Sequence, residues 1–382
     1  MSIETQPPRF KLLKAIGRGF YSVVYEVMST RGPDEGRIYA LKRYFLRNRG
    51  TIKFALTEHR ILKQIATEGS QFYFLPTLFY SFFIDGAPAY VITKGSGLRL
   101  SDLINKHFPL PLKNAIFYCA EIICGVEEIH SLGVIHLDIK PANILLTNSG
   151  HLMIIDFDLS YDAAGKPGPP KPDDFGGTYF YMAPEIARKC SISVKADTWS
   201  IGAVMARMIA GHIQPEATQS EAEKGEWFIE GFSGFTQPLK SFFKACLAFD
   251  PDQRPTIGEI KRMKIFKGVD WDPKVLSTRP PPYQFPETPN IIGRTEDARS
   301  TSAKEKILKD TWMGKMNENR RHIYETFDGL SANLEFRRFG ADTCTTVHAI
   351  PEEGLSSAEI RRLFRNIDFI NERALQNNKD YE

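Results

Sequence analysis

The feature that most limits the folds open to this chain is a change of period near Leu98. From Phe10 to about Phe83 the apolar residues fall in β-branched and aromatic runs, as in Val23-Val24-Tyr25-Glu26-Val27 and Ile38-Tyr39-Ala40-Leu41-Lys42. One stretch there, Phe54 to Ile65, repeats apolar residues at helical spacing instead. After Leu98 the helical period dominates, as in Ala115 to His130 and Thr198 to Ile209. A strand-rich part followed by a helix-rich part predicts an α+β chain of two lobes with a cleft between them. At 382 residues there is room for such a pair and an appendage.

Composition narrows function by exclusion. Hydrophobic residues at 42% and charged residues at 25% describe an ordinary globular protein. A formal charge of +3 is too small to point to a nucleic-acid or membrane partner. No window has the roughly 20 apolar residues of a membrane span, and Met1 to Lys11 lacks the apolar core of a signal peptide. Cys119, Cys124, Cys190, Cys246 and Cys344 show no CxxC spacing, which fits reduced thiols and an intracellular place, cytoplasmic or nuclear. Cys119 and Cys124 sit in an apolar helix-like run and read as small buried hydrophobes rather than metal ligands.

Two proline-rich stretches, 166–172 and 279–289, read as loop or linker because proline removes a backbone donor and disfavours helix before it. The expected organisation is an N-terminal extension 1–9, a main domain 10–268 divided near 97/98, a proline-rich linker 269–299, and a partly helical tail 300–382. In that tail Ser356-Ser-Ala-Glu359 is a capping-box pattern, opening a helix with Ile360, Leu363, Phe364 and Ile367 on one face. With nearly balanced charge, it is expected to pack on the main domain.

Four constellations carry chemistry. Ile16-Gly17-Arg-Gly19-Phe-Tyr-Ser22-Val-Val24 lies between strand-like runs. Glycines allow a hairpin to close over a triphosphate with its N–H groups facing the oxygens, although a plain glycine-bearing turn would look the same. Lys42 follows apolar residues and needs an anionic partner, for which Glu58 is the candidate; a surface lysine is the alternative. The run His136-Leu-Asp138-Ile-Lys140-Pro-Ala-Asn143-Ile-Leu-Leu146 gathers a carboxylate, an amine and an amide within six residues. Ile154-Ile-Asp156-Phe-Asp158 brings a carboxylate to the end of an apolar strand.

In these residues the chain resembles the eukaryotic-type serine/threonine protein kinases. The resemblance runs from about residue 10 to 268 and includes Gly177-Thr178 to Ala183-Pro184-Glu185, Asp197-Thr-Trp199-Ser-Ile-Gly202 and Asp250-Pro-Asp-Gln-Arg254-Pro. It implies the bilobal kinase fold, with a small antiparallel β-sheet lobe plus one helix and a larger, mainly helical lobe. It implies ATP and magnesium as cofactors and a protein as substrate. Asp138 would orient the acceptor hydroxyl and take its proton, Lys140 would neutralise the moving phosphoryl group, and Asn143 and Asp156 would hold magnesium. Gly17, Gly19, Ser22, Lys42 and Glu58 would serve the phosphates. Val24, Ala40 and Leu145 would enclose the adenine, with Thr93 as gatekeeper and Lys94 to Gly97 as hinge. Glu185 would pair with Arg254, and Asp197 would hold the catalytic loop from behind.

Three positions depart from the pattern. Ser22 stands where a third glycine is commonest. Leu137 replaces the arginine that in the family receives an activation-loop phosphate. Consistently, no Ser, Thr or Tyr occurs from Asp162 to Gly177, so activity independent of loop phosphorylation is expected. Asp158 replaces glycine after Asp156-Phe157, as in plant phototropin-like kinases and some fungal AGC-group kinases; Leu56 to Leu62 resembles that group too. Leu137 and Asp158 are also what a pseudokinase scaffold would carry, and a small-molecule or lipid kinase is a third class. The intact Lys42, Glu58, Asp138, Lys140, Asn143 and Asp156 argue for a working phosphotransferase.

Overall fold

In a computed structural model the described residues are 10–19, 21–46, 48–68, 72–84, 86–163, 169–213, 229–283 and 356–376. Five strands of the first lobe are β1 (Phe10–Arg18), β2 (Ser22–Ser29), β3 (Ile38–Tyr44), β4 (Leu78–Ile84) and β5 (Ala87–Ile92). All their pairings are antiparallel, in the order β1-β2-β3-β5-β4. Between β3 and β4 lies the lobe's helix, α1 (Arg49–Thr67). It starts where the Asn48 side chain accepts from Thr51 N at 2.9 Å, while Thr51 Oγ1 accepts from Asn48 N. Its apolar face, Ile52, Ala55, Ile61, Leu62 and Ile65, is buried.

The second lobe is mainly helical. It contains α2 (Leu100–His107), α3 (Leu112–Ser131), α4 (Pro184–Ala187), α5 (Lys195–Ile209), α6 (Gln237–Cys246), α7 (Ile257–Lys261) and α8 (Pro273–Thr278). Short ladders pair β6 (Val134–Ile135) with β9 (Tyr161–Asp162), and β7 (Ile144–Leu146) with β8 (Leu152–Ile154). The His136–Asn143 loop joins β6 to β7, and Asp156 follows β8 by two residues, so the two ladders anchor both segments. Helices α3 and α5 are buried on most sides, and Cys119, Cys124 and Cys246 are buried free thiols.

Residues 269–283, expected as the start of a linker, belong to this lobe. Leu276 of α8 is buried with Phe74, Ala120 and Cys124. The Tyr283 ring lies parallel to that of Tyr118 at 6.4 Å and 4.6 Å from His107. Pro273 opens α8 at a first-turn position where proline is tolerated, and the proline run that follows Arg279 ends the helix without denying Tyr283 a packing surface.

The capping box at Ser356 forms and opens α9 (Ser357–Leu363), followed by β10 (Phe369–Ile370) and α10 (Glu372–Gln376). Strand β10 adds to the outer edge of β4, Phe369 facing Ser81 and Ile370 facing Tyr80. Ile360, Phe364 and Ile367 join the core, but Leu363 is 50% exposed and does not share their face. An otherwise open sheet edge is thereby closed by the tail.

Candidate active site

The cleft face of the sheet follows from its pleat, because directly opposed residues point the same way. Val24 faces Lys42, Glu26 faces Ala40, Ala40 faces Ile92 and Lys42 faces Tyr90. Val24, Ala40, Lys42 and Ile92 therefore share one side. Below them, Leu145 lies under the hinge, where a Cβ on Gly95 would come within 3.3 Å of its Cδ1. Ser96 N donates to Leu146 O at 2.9 Å, stitching hinge to second lobe. Thr93 corrects an expectation: its hydroxyl accepts from Thr77 N at 2.9 Å, on the strand neighbour. The side chain at the end of β5 that faces the cleft beside Ala40 is Ile92, one pleat away.

The β1–β2 hairpin lies above. Gly17 pairs with Val24, and Gly19 N donates to Ser22 O at 2.8 Å. Ser22 is buried, and its role is to close this turn through its own carbonyl.

Lys42 Nζ is 2.8 Å from Glu58 Oε1 and 2.6 Å from Asp156 Oδ1. Burial works against its charge, but the Asp156 and then the Glu58 carboxylate outweigh it and hold the ammonium protonated. Tyr44 donates to the other Glu58 oxygen. Sequence reasoning missed Tyr44, although its period-two relation to Lys42 puts both on one face. Removing one partner from a buried pair of this kind costs about 3–5 kcal/mol, because the remaining charge is stranded.

The loop after β6 converges on Asp138. Its Oδ1 accepts from the Thr178 hydroxyl at 2.7 Å, and its Oδ2 accepts from Lys140 Nζ at 2.7 Å and Asn143 Nδ2 at 2.8 Å. Lys140 Nζ also donates to Thr178 Oγ1 at 2.6 Å. The loop is held from below by buried Asp197, which accepts from His136 N and Leu137 N at 2.8 Å each, and is 2.8 Å from His130 Nε2. Burial alone would raise the Asp197 pKa, but the His130 hydrogen bond and charge overcome it and hold the carboxyl below its ordinary range.

Leu137 is buried with φ 65°, so its side chain turns into the core. Its carbonyl lies where a Cβ on Gly177, which has φ 148°, would approach to 2.7 Å. Only glycine fits that close approach. Phe157 is fully buried, 5.2 Å from the His136 ring, and Asp156 has φ 73°. Asp158 is half-buried and has no left-handed backbone, so this conformation does not require glycine there. Burial, then the Asp156, Glu58 and Asp138 carboxylates, push its pKa up to about 8 against the opposing pull of Lys42.

Four acids, Glu58, Asp138, Asp156 and Asp158, thus crowd a cleft whose nearby ammonium groups are Lys42 and Lys140. Among the described residues no three His, Cys, Asp or Glu side chains form a ready metal cluster. Surplus negative charge with few hard oxygen donors fits a divalent cation that takes most of its ligands from phosphate and water. Away from the cleft, Arg254 makes two 2.7 Å bonds to Glu185 and stacks 5.0 Å over Trp199, a scaffold contact. No helix among the described residues is long and apolar enough to cross a membrane.

Comparison with known proteins agrees with this architecture. The protein kinase domain model matches residues 10–266. Human ribosomal protein S6 kinase alpha-2 is 30% identical over 306 residues, covering 77% of this chain and 40% of that protein. A putative ribosomal protein S6 kinase alpha-1 of Caenorhabditis elegans is 30% identical over 291 residues, covering 74% and 36%. The chain therefore spans about 40% or less of the length of these relatives. With its family model, two-lobed fold and ordered motifs in agreement, the chain belongs to the protein kinase family, of the eukaryotic serine/threonine type.

Proposed function

We propose that this chain transfers the terminal phosphoryl group of ATP to serine or threonine hydroxyls of proteins, with magnesium, and without a phosphate on its activation segment. The observation that carries this reading is the pair of linked clusters across the cleft. Asp138, Lys140, Asn143 and Thr178 form one, and Lys42, Glu58 and Asp156 form the other.

Phosphoryl transfer asks the protein mainly for positioning and charge neutralisation. Asp138 Oδ1, presently satisfied by the Thr178 hydroxyl, would align an acceptor hydroxyl and take its proton. Lys140, tied to the same carboxylate, would offset the charge on the moving group. Lys42, fixed by Glu58, would hold the phosphates, and Val24, Ala40, Ile92 and Leu145 would enclose the base. Asn143, whose Nδ2 is committed to Asp138, keeps Oδ1 to offer with Asp156 as metal donors. Magnesium there would screen the phosphate oxygens from the acids around them. Serine/threonine selectivity rests on Lys140, and independence from a phosphate rests on Leu137 and the absence of hydroxyls from Asp162 to Gly177.

The second reading, an ATP-binding pseudokinase, has Asp158 in its favour, since it crowds a further acid against Asp156 where the family carries glycine. Magnesium-dependent transfer of labelled phosphate from ATP to generic Ser/Thr proteins tests both, with Asp138→Ala as control. Transfer that Asp138→Ala abolishes and phosphatase pretreatment spares supports the proposal. ATP binding with no transfer to any substrate supports the scaffold.

A further inference from the structure

The stretch from Asp162 to Gly177 has no hydroxyl to phosphorylate, yet it is attached to α1 at both ends by charge. Asp174 Oδ1 is 3.0 Å from Lys53 Nζ, and its Oδ2 accepts from Lys171 N at 2.9 Å. The Asp174 side chain is only 6% exposed, against 36% for Lys53. At the other end, Asp162 Oδ2 meets Arg60 Nε at 2.8 Å, with the carboxylate again almost fully covered.

Lys53 and Arg60 are seven residues apart, two helical turns, and so lie on one face of α1. Glu58 projects from a different side and reaches Lys42. One ion pair would leave the helix free to pivot, whereas two on the same face resist both rotation about its axis and swinging. The covered carboxylates are the fixed partners, since Asp162 is in the β6–β9 ladder and Asp174 in a turn closed by its own side chain. From Asp174 it is four residues along the chain to Thr178, which touches Asp138. The same short segment therefore bears on both clusters of the cleft.

We propose that Asp174 is a positioning residue. Its permanent carboxylate, acting through Lys53, locks α1 to the activation segment and keeps Glu58 on Lys42 without a phosphate. This rests on the kinase reading for its effect on rate, but its effect on α1 can be measured independently.

The test compares wild type with Asp174→Asn, Lys53→Glu and the charge swap Lys53→Glu/Asp174→Lys. Measured are kcat and KM for ATP with a generic Ser/Thr protein, and hydrogen exchange of amides in residues 49–67. Loss of one charge-assisted, partly screened contact should lower kcat by about three- to tenfold in Asp174→Asn. Exchange in α1 should quicken by a similar factor, while the melting temperature of the helical lobe stays near that of wild type. Lys53→Glu should be worse, because like charges then face each other, and the swap should recover most of the loss. Wild-type kcat and wild-type exchange in Asp174→Asn, or a swap no better than Lys53→Glu, would overturn the proposal. If the wild-type chain transfers no phosphate, the functional reading fails; α1 exchange in Asp174→Asn then decides this inference alone.

Discussion

Thr178 Oγ1 lies 2.7 Å from Asp138 Oδ1 and 2.6 Å from Lys140 Nζ, so one hydroxyl donates to the acid and accepts from the amine. This relationship fixes the spacing of the two groups that would serve the acceptor. Thr178→Ala should lower kcat by roughly 10- to 100-fold with little change in KM for ATP, since misplacing the acid loses alignment rather than nucleotide affinity. Thr178→Ser keeps the hydroxyl and should stay within a few-fold of wild type. Steady-state kinetics on one protein substrate checks both.

The tail offers an internal contrast one residue apart. Phe364 is buried and stacks on Phe83 at 5.5 Å, whereas Leu363 is half exposed. Phe364→Ala should cost about 3 kcal/mol of stability by leaving a cavity, and Leu363→Ala less than about 0.5 kcal/mol. Urea denaturation of the two variants measures the difference. Equal costs would contradict the docked arrangement of α9.

His59 gives a pH dependence with a definite sign. It is buried in α1, its Nε2 is 2.8 Å from Ser81 Oγ, and that hydroxyl donates to Ile367 O of the tail. The Tyr90 ring of β5 lies 5.4 Å away. Burial, with repulsion from Lys63, lowers its pKa to about 4, from about 6.5 in an open chain. Between these values the unfolded chain binds a proton that the folded one does not. Stability therefore falls as pH falls through that window, by about 2–3 kcal/mol at its acid end. His59→Gln should lose correspondingly less stability than wild type between about pH 7 and pH 4.5 in denaturant titrations.

Ile92, not Thr93, should govern the room behind the adenine. Ile92→Gly should admit base analogues carrying bulky substituents, weakening their competition constant by less than wild type does. Thr93→Ala should leave that selectivity alone and instead lower stability by about 1 kcal/mol through the Thr77 N it strands. Competition of such analogues against ATP reports the first effect, and thermal melting the second.

By itself the sequence determined the two-lobed class and named the residues of the candidate site. Strand-like and helical periods are local properties, and the motifs around Asp138, Asp156 and Lys42 keep their chemistry in short runs where spacing is preserved. It also marked the tail helix, because a capping box at Ser356 is satisfied within four residues. Only the tertiary structure decided the rest, where the deciding contact is remote in the chain. Thr93 and Ile92 differ by one pleat, and register with β3 and β4 chose between them. Leu363 follows the helical pattern of its neighbours, yet the surface that α9 meets covers Ile360, Phe364 and Ile367 and leaves it in solvent. Residues 269–283 look like a linker because proline silences local signals, but Leu276 is buried against Phe74, Ala120 and Cys124, with Val269 and Trp271 packed beside it. The same holds for Asp174 and Lys53, 121 residues apart. Neither residue type announces its partner, because charge is read only across the distance that the fold imposes.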